Sequence, residues 1–477
     1  FNLSETLSKL IAIRNIKIEE VNLFLKPKIK NILPNPFILK DMEKAVSRTV
    51  EAINRNEKIG IFGDYDVDGA TSTAILGNYF SEINQKIEIY IPDRKTEGYG
   101  PSKKGFEKLI SNGSNLIFTV DCGTLSFDTI EFSQKKNTDV LVLDHHQSEV
   151  KLPNAFSVVN PNRFDDESKL NYLCAAGVCF MFLIALNKKL RDLNWFKENK
   201  KNEPNLLEYL DLVSLGTVCD VVPLVGLNRA LVSQGLEIMK KKSNLGLKIL
   251  KNICGIESNV TVYDLGYKLG PRINAGGRVG KCSHGANLFL SKDSKEAFKI
   301  ASELEVFNKE RKEIENGMLK KIEKNIKIDP NESVIVLSGH NWHGGIIGII
   351  AARLKEKHNK PTIIISVEKG LGRASARSTL GFDIGSIIIS AVQSKILKKG
   401  GGHKMAGGFT IEENKIEEFK EFIKKKFLTI QKSLRKTNNL FFDSKISPSA
   451  INEGFFSEIN SLSPFGSGNP EPKFVIE

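Results

Sequence analysis

The stretch KIGIFGDYDVDGATSTAILGNYF, residues 58–80, joins three kinds of local sequence. The short apolar run at its start is typical of a buried strand, and the stretch from Thr71 onwards is typical of a helix. Between them lies a turn with three carboxylates, Asp64, Asp66 and Asp68, at alternate positions. A strand, a polar turn and a helix in this order form the repeating unit of an α/β fold.

Two later segments repeat the pattern. NLIFTV (115–120) runs into Asp121, and TDVLVL (138–143) runs into Asp144, His145 and His146. Apolar strands that alternate with helices predict a parallel sheet covered on both faces. Because ligands gather at the carboxyl ends of such strands, we expect the acidic turns to share one pocket.

The size and charge of the chain narrow the class of protein. Its 477 residues are enough for two or three domains, and its formal charge of +13 suits a polyanionic partner such as nucleic acid or phosphate-rich lipid. An AT-rich genome that favours lysine is an alternative explanation of the charge. We expect no membrane span and no signal peptide, since no apolar stretch is long enough and no basic start leads into one.

Cysteine usage indicates a reduced interior. The six cysteines, at positions 122, 174, 179, 219, 254 and 282, form no CxxC pair, which argues against a zinc finger. Most of them lie in apolar surroundings, as is typical of core cysteines in a cytosolic protein.

We expect an α/β protein with five segments along the chain. These are an N-terminal helical or extended segment (1–50), a parallel-sheet domain (51–292), a charged connecting helix (293–327), a smaller α/β domain (328–430) and a partial, β-rich segment (431–477). The last segment stops inside a predicted strand, so we expect that domain to be incomplete.

The acidic turn of residues 63–70 suits a cation site. Carboxylates this close repel one another and raise each other's pKa unless a cation holds them. Taken alone, the motif is also compatible with a solvated acidic turn. It is not a P-loop, because Ala70 follows Gly69 where that motif needs lysine, and it lacks the glutamate of an EF-hand.

Four aspartates and one histidine form the candidate metal-ligating set: Asp66, Asp68, Asp121, His145 and Asp220. Carboxylates with imidazole and without thiolates favour Mg²⁺, Mn²⁺ or Zn²⁺. The set carries about four negative charges, which two divalent ions would balance. A two-metal centre of this kind cleaves phosphodiester bonds.

Longer motifs follow along the chain: YIPDRKTEGYG (90–100), NAGGRVG (274–280), WHGGIIGIIAARL (342–354), SARS (375–378), GGGHKMAGG (400–408) and PFGSGNPEP (464–472). Together with DYDVDG, VDCG, VLDHH and GTVCDVVPL, they resemble the ordered motifs of the DHH phosphoesterase superfamily. Within it they resemble the RecJ family of single-strand-specific DNA exonucleases, over nearly the whole chain.

The resemblance assigns roles to these residues. It implies that Asp66 and Asp121 hold one ion, and that the second is held by four residues: Asp68, Asp121, His145 and Asp220. It implies an orienting role for Asp64 and a phosphate-facing, proton-transferring role for His146. Asp144 would fix a histidine tautomer through a hydrogen bond. A purely structural histidine is the alternative for His146.

The resemblance and the local chemistry together give a substrate-binding set: Arg94, Tyr99, Asn274, Arg278, His343, Arg373, Ser375, Arg377 and His403. GGGHKMAGG would let the backbone approach a phosphate and present His403, or it is a flexible turn between a strand and a helix. Arg373 and Arg377 lie beside serines, which suits a DNA backbone or a terminal phosphate. A solvated basic strand is the alternative.

Three residues depart from the superfamily pattern, and Cys219 and Gly276, which each stand where alanine is expected, are small changes in packing. Phe62 stands where many members have a histidine ligand, so we expect the first ion to have fewer protein ligands.

The resemblance implies a 5′→3′ exonuclease of single-stranded DNA that uses two Mn²⁺ or Mg²⁺ ions in DNA repair and recombination. It also implies a bacterial cytoplasmic, nucleoid-associated protein whose partners include a single-strand-binding protein and a helicase. Two alternatives stay open. One is a DHH enzyme for small substrates (an oligoribonuclease, cyclic-dinucleotide phosphodiesterase or pyrophosphatase), and the other is a non-enzymatic replication scaffold of the same fold.

Overall fold

The structure is a computed structural model, which describes residues 3–94, 96–257, 259–325, 328–329, 332–431 and 440–477. Two compact units make up the chain: Phe1–Phe307 together with Phe441–Glu477, and Asn308–Leu440. The predicted connecting helix corresponds to Ser294–Asn325, and its predicted end at residue 327 lies outside the described residues. The boundary between the two units lies within this helix.

Five parallel strands form the sheet of the first unit: β1 Lys58–Gly63, β2 Ile87–Tyr90, β3 Ser114–Val120, β4 Asp139–Leu143 and β5 Ser157–Val159. Their order is β2-β1-β3-β4-β5, and every neighbouring pair is parallel. Ile59 and Ile61 of β1 join the main core, whereas Phe62 joins a smaller cluster. Since successive side chains point to opposite faces, the sheet is covered on both, which confirms the predicted fold.

The strand order reverses between β1 and β3, because the chain moves from β1 outwards to β2 and then returns to the other side of β1. Such a switch point leaves a crevice at the carboxyl ends of the two strands. Asp64 follows β1 and Asp121 follows β3, so the topology places both at this crevice.

Helices cover both faces of the sheet. Up to residue 290 they are α1 Glu5–Ile13, α2 Val21–Leu25, α3 Ile29–Ile32, α4 Met42–Asn54, α5 Val67–Glu82, α6 Lys103–Ser111, α7 Phe127–Gln134, α8 Ala175–Asp192, α9 Trp195–Glu198, α10 Leu210–Cys219, α11 Gly226–Lys241, α12 Leu245–Ile253, α13 Gly270–Val279 and α14 His284–Leu290. A π-helical turn, Asp264–Leu269, directly precedes α13, and α15 is the helix Ser294–Asn325.

The second unit contains a mixed sheet of β6 Ile335–His340, β7 Thr362–Glu368, β8 Leu371–Arg377, β9 Lys399–His403 and β10 Ala406–Glu412. The order is β6-β7-β8-β10-β9, with β6 and β7 parallel and the other pairs antiparallel. Its helices are α16 Ile347–His358, α17 Ile384–Gln393 and α18 Ile416–Gln431. GGGHKMAGG forms the β9–β10 hairpin, so the alternative of a flexible turn before a helix is wrong.

The C-terminal segment belongs to the first unit. It contains two short parallel strands, β11 Ser444–Ile446 and β12 Phe474–Ile476, with α19 Glu453–Asn460 between them. Leu462 packs in a small core with Leu7 and Leu10 of α1. The two ends of the sequence therefore share one hydrophobic cluster.

A buried arginine ties these ends to the sheet domain. Arg229 of α11 is only 2% exposed and lies over the ring of Phe24, 3.9 Å from its centroid. Its guanidinium donates to the carbonyls of Phe24, Leu462, Ser463 and Pro464 at 2.7–3.3 Å. All four of these acceptors are backbone carbonyls, so carbonyl dipoles offset the cost of burying the charge.

The PFGSGNPEP motif is held by a second arginine. Arg14 donates to Asn469 Oδ1 and to the Pro470 carbonyl, both at 2.8 Å. The Asn469 amide in turn donates to the carbonyls of Leu462 and Pro464 at 2.8 Å. The motif therefore joins the N-terminal helices, α11 and the C-terminal segment.

No helix among the described residues is both long and apolar enough to pass through a lipid bilayer.

We predict that Arg229→Ala destabilises the protein by about 3 kcal/mol, because it strands several buried carbonyls and leaves a cavity. The measurement is urea unfolding of the whole chain. The control is Arg191→Ala, whose side chain is 62% exposed and pairs with Glu203. This variant should lose at most about 1 kcal/mol. Equal losses in the two variants would contradict the role given to Arg229.

Candidate active site

Three strand ends and one helix end supply the side chains of the site. Residues 64–68 follow β1 and enter α5, and Asp121 follows β3. Residues 144–146 follow β4, and Asp220 is the C-cap of α10. The structure brings together all the residues for which the sequence predicts a metal-ligating or catalytic role.

Asp68 is held by the start of a helix. Its Oδ2 accepts a hydrogen bond from the Ala175 amide at 2.7 Å, and its Oδ1 accepts one from the Ala176 amide at 2.9 Å. These are the first amides of α8, so the positive end of the helix dipole faces the carboxylate. A Cβ at Gly216 of α10 would lie 2.8 Å from Asp68 Oδ1. The glycine of GTVCDVVPL therefore permits α10 to approach the site.

The DYDVDG turn is organised by its own backbone. Asp66 caps α5, because its Oδ1 accepts from the Gly69 amide at 2.9 Å. A Cβ at Gly69 would lie 2.6 Å from the Asp64 carbonyl oxygen, so only glycine fits there. Asp64 Oδ1 accepts from the Tyr65 amide at 2.8 Å. The motif thus needs its glycine for packing in addition to its three carboxylates.

Asp121 occupies an unusual backbone conformation. Its φ of +59° is in the left-handed region, which aspartate and asparagine tolerate better than most residues. Its amide donates to the Leu143 carbonyl at 3.1 Å, which joins the end of β3 to the end of β4.

The imidazole of His145 faces three carboxylates. Its Nε2 lies 3.3 Å from Asp121 Oδ1, 3.6 Å from Asp220 Oδ2 and 3.7 Å from Asp68 Oδ2. This nitrogen is buried and has no hydrogen-bond partner among the described residues. A buried ring nitrogen that faces carboxylate oxygens and has no hydrogen-bond partner is well placed to act as a metal ligand.

Asp144 holds His146 through a network of donors. Its Oδ1 accepts from His146 Nδ1 at 2.8 Å and from the amides of His145 and His146 at 2.7 and 3.2 Å. Its Oδ2 accepts from the amide and hydroxyl of Thr124 at 3.0 and 2.6 Å. On the other side of the ring, His146 Nε2 lies 2.9 Å from the hydroxyl of Tyr99. Burial opposes the charged imidazole, but Asp144 raises the pKa of His146 to about 9.

Asp121 and Asp220 lack a comparable set of hydrogen-bond donors among the described residues. Burial, followed by repulsion from Asp66 and Asp68, raises the pKa of Asp121 well above its usual range. Burial and the same neighbours raise the pKa of Asp220 to about 9. Burial also lowers the pKa of His145, which favours its neutral, ligating form. Without a cation, part of this cluster is protonated at neutral pH, so the residues present fit divalent cations.

Among the described residues, three overlapping triplets have ligand atoms within 4.8 Å of one another: Asp64, Asp66 and Asp121; Asp68, His145 and Asp220; Asp121, His145 and His146. Asp121 belongs to two of the triplets, which supports its predicted bridging role. The family resemblance implies an orienting role for Asp64, whereas its carboxylate lies in the first triplet. Its role as ligand or orienting group stays a prediction.

Phe62 is fully buried in an apolar cluster, and its side chain has no atom that could bind a metal ion. Its ring stacks on Tyr90 at 5.5 Å between centroids and packs against Phe106 at 5.7 Å. An apolar aromatic cluster therefore occupies the position where a histidine ligand is expected from the superfamily.

Some predicted substrate-binding residues lie around Tyr65. The guanidinium of Arg94 lies 5.4 Å from the Tyr65 ring centroid. A Cβ at Gly277 of α13 would lie 2.7 Å from the same ring, so this helix packs directly on it. Asn274 and Arg278 lie on α13, both half-buried.

The remaining predicted residues lie in the second unit. Arg373, Ser375 and Arg377 alternate along β8 and therefore share one face. Arg377 Nη1 donates to Ser375 Oγ at 3.2 Å. His343 follows β6 and accepts from the Gly345 amide at 3.2 Å, and His403 is exposed at the end of β9.

Sequence reasoning missed several supporting groups. The amides of Ala175 and Ala176 carry no side-chain signal, and Thr124 looks like an ordinary turn residue. Asn160 also supports the site, since its amide donates to Thr124 Oγ1 and to the His146 carbonyl at 2.8 Å.

Comparison with known protein families gives three matches in sequence order. Residues 58–217 match the N-terminal domain of the DHH family, residues 331–429 match the DHHA1 domain, and residues 442–477 match the RecJ OB domain.

Similar proteins include several bacterial proteins that are named single-stranded-DNA-specific exonuclease RecJ. That of Haemophilus influenzae is 35% identical over 94% of this chain and 79% of the relative. That of Escherichia coli is 34% identical over 94% of this chain and 80% of the relative. The Bacillus subtilis protein is 31% identical, and this chain spans only 57% of its length.

A solved structure has the same fold. RecJ from Thermus thermophilus in complex with Mn²⁺ superposes with a TM-score of 0.84 at 29% identity, over 99% of this chain and 66% of that chain. Taken together, the matched domains and the relatives at 34 and 35% identity show that this chain belongs to the RecJ family.

Proposed function

We propose that this protein is a metal-dependent exonuclease that removes nucleotides from single-stranded DNA in the 5′→3′ direction. The observation that carries the proposal is the buried Nε2 of His145, which faces three carboxylates and lacks a hydrogen-bond partner among the described residues. Leaving such a group buried and unsatisfied costs about 1–3 kcal/mol, which metal ligation would offset. The names of the RecJ relatives and the Mn²⁺ and Mg²⁺ in the solved RecJ structures support the same function.

Two divalent ions, Mn²⁺ or Mg²⁺, would be held by the carboxylate cluster, with Asp121 shared between them. One ion would use Asp66 and Asp121, and the other would use four residues: Asp68, Asp121, His145 and Asp220. Bound there, the ions would offset the carboxylate charge and act as Lewis acids on the scissile phosphodiester.

His146 would contact the substrate phosphate. Asp144 keeps the imidazole oriented and charged, since the pKa of His146 is raised to about 9. A protonated imidazole donates from both nitrogens, so Nε2 presents a charged donor on the side away from Asp144. In this structure that donor meets the Tyr99 hydroxyl, which lies 3.3 Å from the Asp121 carbonyl and donates to it. We infer that a phosphoryl oxygen of the substrate takes the place of Tyr99 on His146.

The wider role follows from the family. We infer that the protein acts in DNA repair and recombination in the bacterial cytoplasm, in association with the nucleoid. We also infer that a single-strand-binding protein and a helicase work with it. The formal charge of +13 supports binding to a nucleic-acid backbone.

The first test of this function is hydrolysis of end-labelled single-stranded DNA with Mn²⁺, compared between the wild-type protein and Asp121→Asn. Asparagine keeps the left-handed backbone of residue 121 but removes one charge, so we expect turnover to fall about 10²–10³-fold. Asp128→Asn, an exposed aspartate at the start of α7, should keep normal turnover. Normal turnover of a folded Asp121→Asn protein would contradict the metal centre. Equal cleavage of blunt duplex, or preference for dinucleotides, would contradict the proposed substrate.

Binding of Mn²⁺ should depend on pH. Because the pKa of Asp220 is raised to about 9, its carboxyl group is protonated at neutral pH in the absence of a cation. A ligand must be deprotonated, so we expect Mn²⁺ binding to release protons and the affinity to rise between about pH 6 and about pH 9. Titration calorimetry in buffers of different ionisation enthalpy counts these protons. Asp220→Asn should release fewer, whereas an affinity independent of pH would contradict the assignment.

Arg377 should recognise the 5′ end of the strand. A terminal phosphate carries close to two negative charges, and Arg377 with Ser375 offers a guanidinium and a hydroxyl on one face of β8. We predict that Arg377→Ala lowers kcat/KM more on 5′-phosphorylated than on 5′-hydroxyl strands, by about 1.5–3 kcal/mol. Arg353→Ala, a 60% exposed arginine of α16, is the control. An equal loss on both kinds of strand would make Arg377 a general backbone contact.

A further inference from the structure

A cavity of about 230 Å³ lies within the first unit, beside the end of α10. The side chains and backbone that form it come from three segments: Cys219, Val221 and Leu224; Gly266 and Tyr267; and Ser467. The first group is the last residue of α10 and the loop after it, the second is the π-helical turn, and the third is part of PFGSGNPEP. The cavity therefore has mainly apolar and aromatic walls.

The cavity lies beside the backbone of Asp220. Cys219 and Val221, which line it, are the residues on either side of Asp220. The π-helical turn packs directly on this segment, because Cys219 Sγ donates to the Leu265 carbonyl at 3.3 Å. The amide of Leu224 donates to the Ser467 carbonyl at 2.7 Å, which closes the third wall. A group bound in the cavity would thus lie next to a candidate metal ligand.

Two tyrosines stand at this cavity in an arrangement that core packing does not explain. Tyr263 and Tyr267 are 62% and 72% exposed, and their rings stack with centroids 5.0 Å apart and planes 25° apart. They are four residues apart across the π-helical turn, a form of helix that is rare and frequent at functional sites. Tyr263 therefore stacks on Tyr267, which lines the cavity, while both rings remain open to solvent.

The backbone beside Asp220 is strained. Val221 has a φ of +61° and is 69% exposed. A β-branched residue in the left-handed region is a true outlier, and such strain concentrates at binding and catalytic sites. A strained and largely exposed apolar residue is thus part of the cavity lining.

We propose that this cavity binds one unpaired nucleobase of the DNA strand whose phosphodiester lies at the carboxylate cluster. Tyr267 is its stacking face. The inference rests on the proposed function. An aromatic ring accepts any base, because every base has a π-face. The volume is below the roughly 300–1,000 Å³ of pockets for larger ligands, which suits a single planar ring system. A base in a duplex is already stacked and paired, so this site also favours single strands.

Strands that lack one base test the proposal. We would measure kcat/KM with Mn²⁺ on 5′-phosphorylated strands that carry an abasic site at successive positions from the 5′ end. For the wild-type protein we expect a loss of about tenfold (~1.4 kcal/mol) at one position, the lower end of the range for base–aromatic stacking. The variant Tyr263→Ala/Tyr267→Ala should lose about tenfold on the intact strand and lose nothing further at that position.

Three further variants sharpen the test. Phe298→Ala removes an aromatic side chain of α15 that is 59% exposed outside the cavity, and it should keep the wild-type profile. Tyr267→Phe keeps the ring face and should restore the position-specific loss that Tyr267→Ala removes. A Cβ at Gly266, which lines the cavity, would meet only Val218 Cγ1, at 3.7 Å, so Gly266→Leu is chosen to narrow the cavity. This variant should match the double alanine variant.

The outcomes separate this inference from the proposed function. If the wild-type protein cleaves intact strands but shows no position-specific loss, the base site is wrong and the exonuclease proposal stands. The same conclusion follows if the double variant shows the same position-specific loss as the wild-type protein. Loss at every position equally also overturns the base site. If the wild-type protein cleaves nothing, the exonuclease proposal fails, and quenching of 2-aminopurine placed along a bound strand tests the base site without catalysis. Quenching that does not depend on Tyr263 and Tyr267 would then overturn it.

Discussion

A cluster of buried carboxylates at the carboxyl edge of a parallel sheet is the constraint on which the rest of this structure depends. Like charges at this spacing repel, and burial removes the water that would screen them. The fold meets that cost with backbone dipoles: the start of α8 on Asp68, the Gly69 amide on Asp66 and the turn after β4 on Asp144. Glycines at positions 69 and 216 let these backbones come close enough to do so.

The same environment shifts the pKa values of chemically identical carboxyl groups in opposite directions. Burial raises the pKa of Asp144, but the charge and ring hydrogen bond of His146, the charge of His145 and the hydrogen bond from Thr124 hold it below the usual range. Among the residues that the structure describes, Asp121 and Asp220 have no such set of donors, and burial raises their pKa values. One carboxylate thereby holds His146 in place, while the others are available for the proposed cations.

The strands and the acidic cluster were predictable from the sequence, because they depend on local patterns. Continuous apolar runs predict strands buried on both faces, and parallel strands bring their ends to one edge. Groups that depend on distant backbone were not predictable. The amides that hold Asp68 come from residues more than 100 positions away, with separations of 107 and 108. The left-handed conformations of Asp121 and Val221 have no signature in a single sequence, and glycine is uncommon in strands, which hides the β9–β10 hairpin.

The contacts of Arg229 have a consequence for the order of events at the ribosome. The second compact unit, Asn308–Leu440, interrupts the first, and the Pro464 carbonyl that Arg229 binds is 235 residues further along the chain. At roughly 5–20 residues per second, that partner emerges on the order of tens of seconds after the arginine. Until then the guanidinium has only Phe24 among these partners, and Leu7 and Leu10 of α1 lack their contact with Leu462. The nascent sheet domain is therefore completed only after the inserted unit has been synthesised.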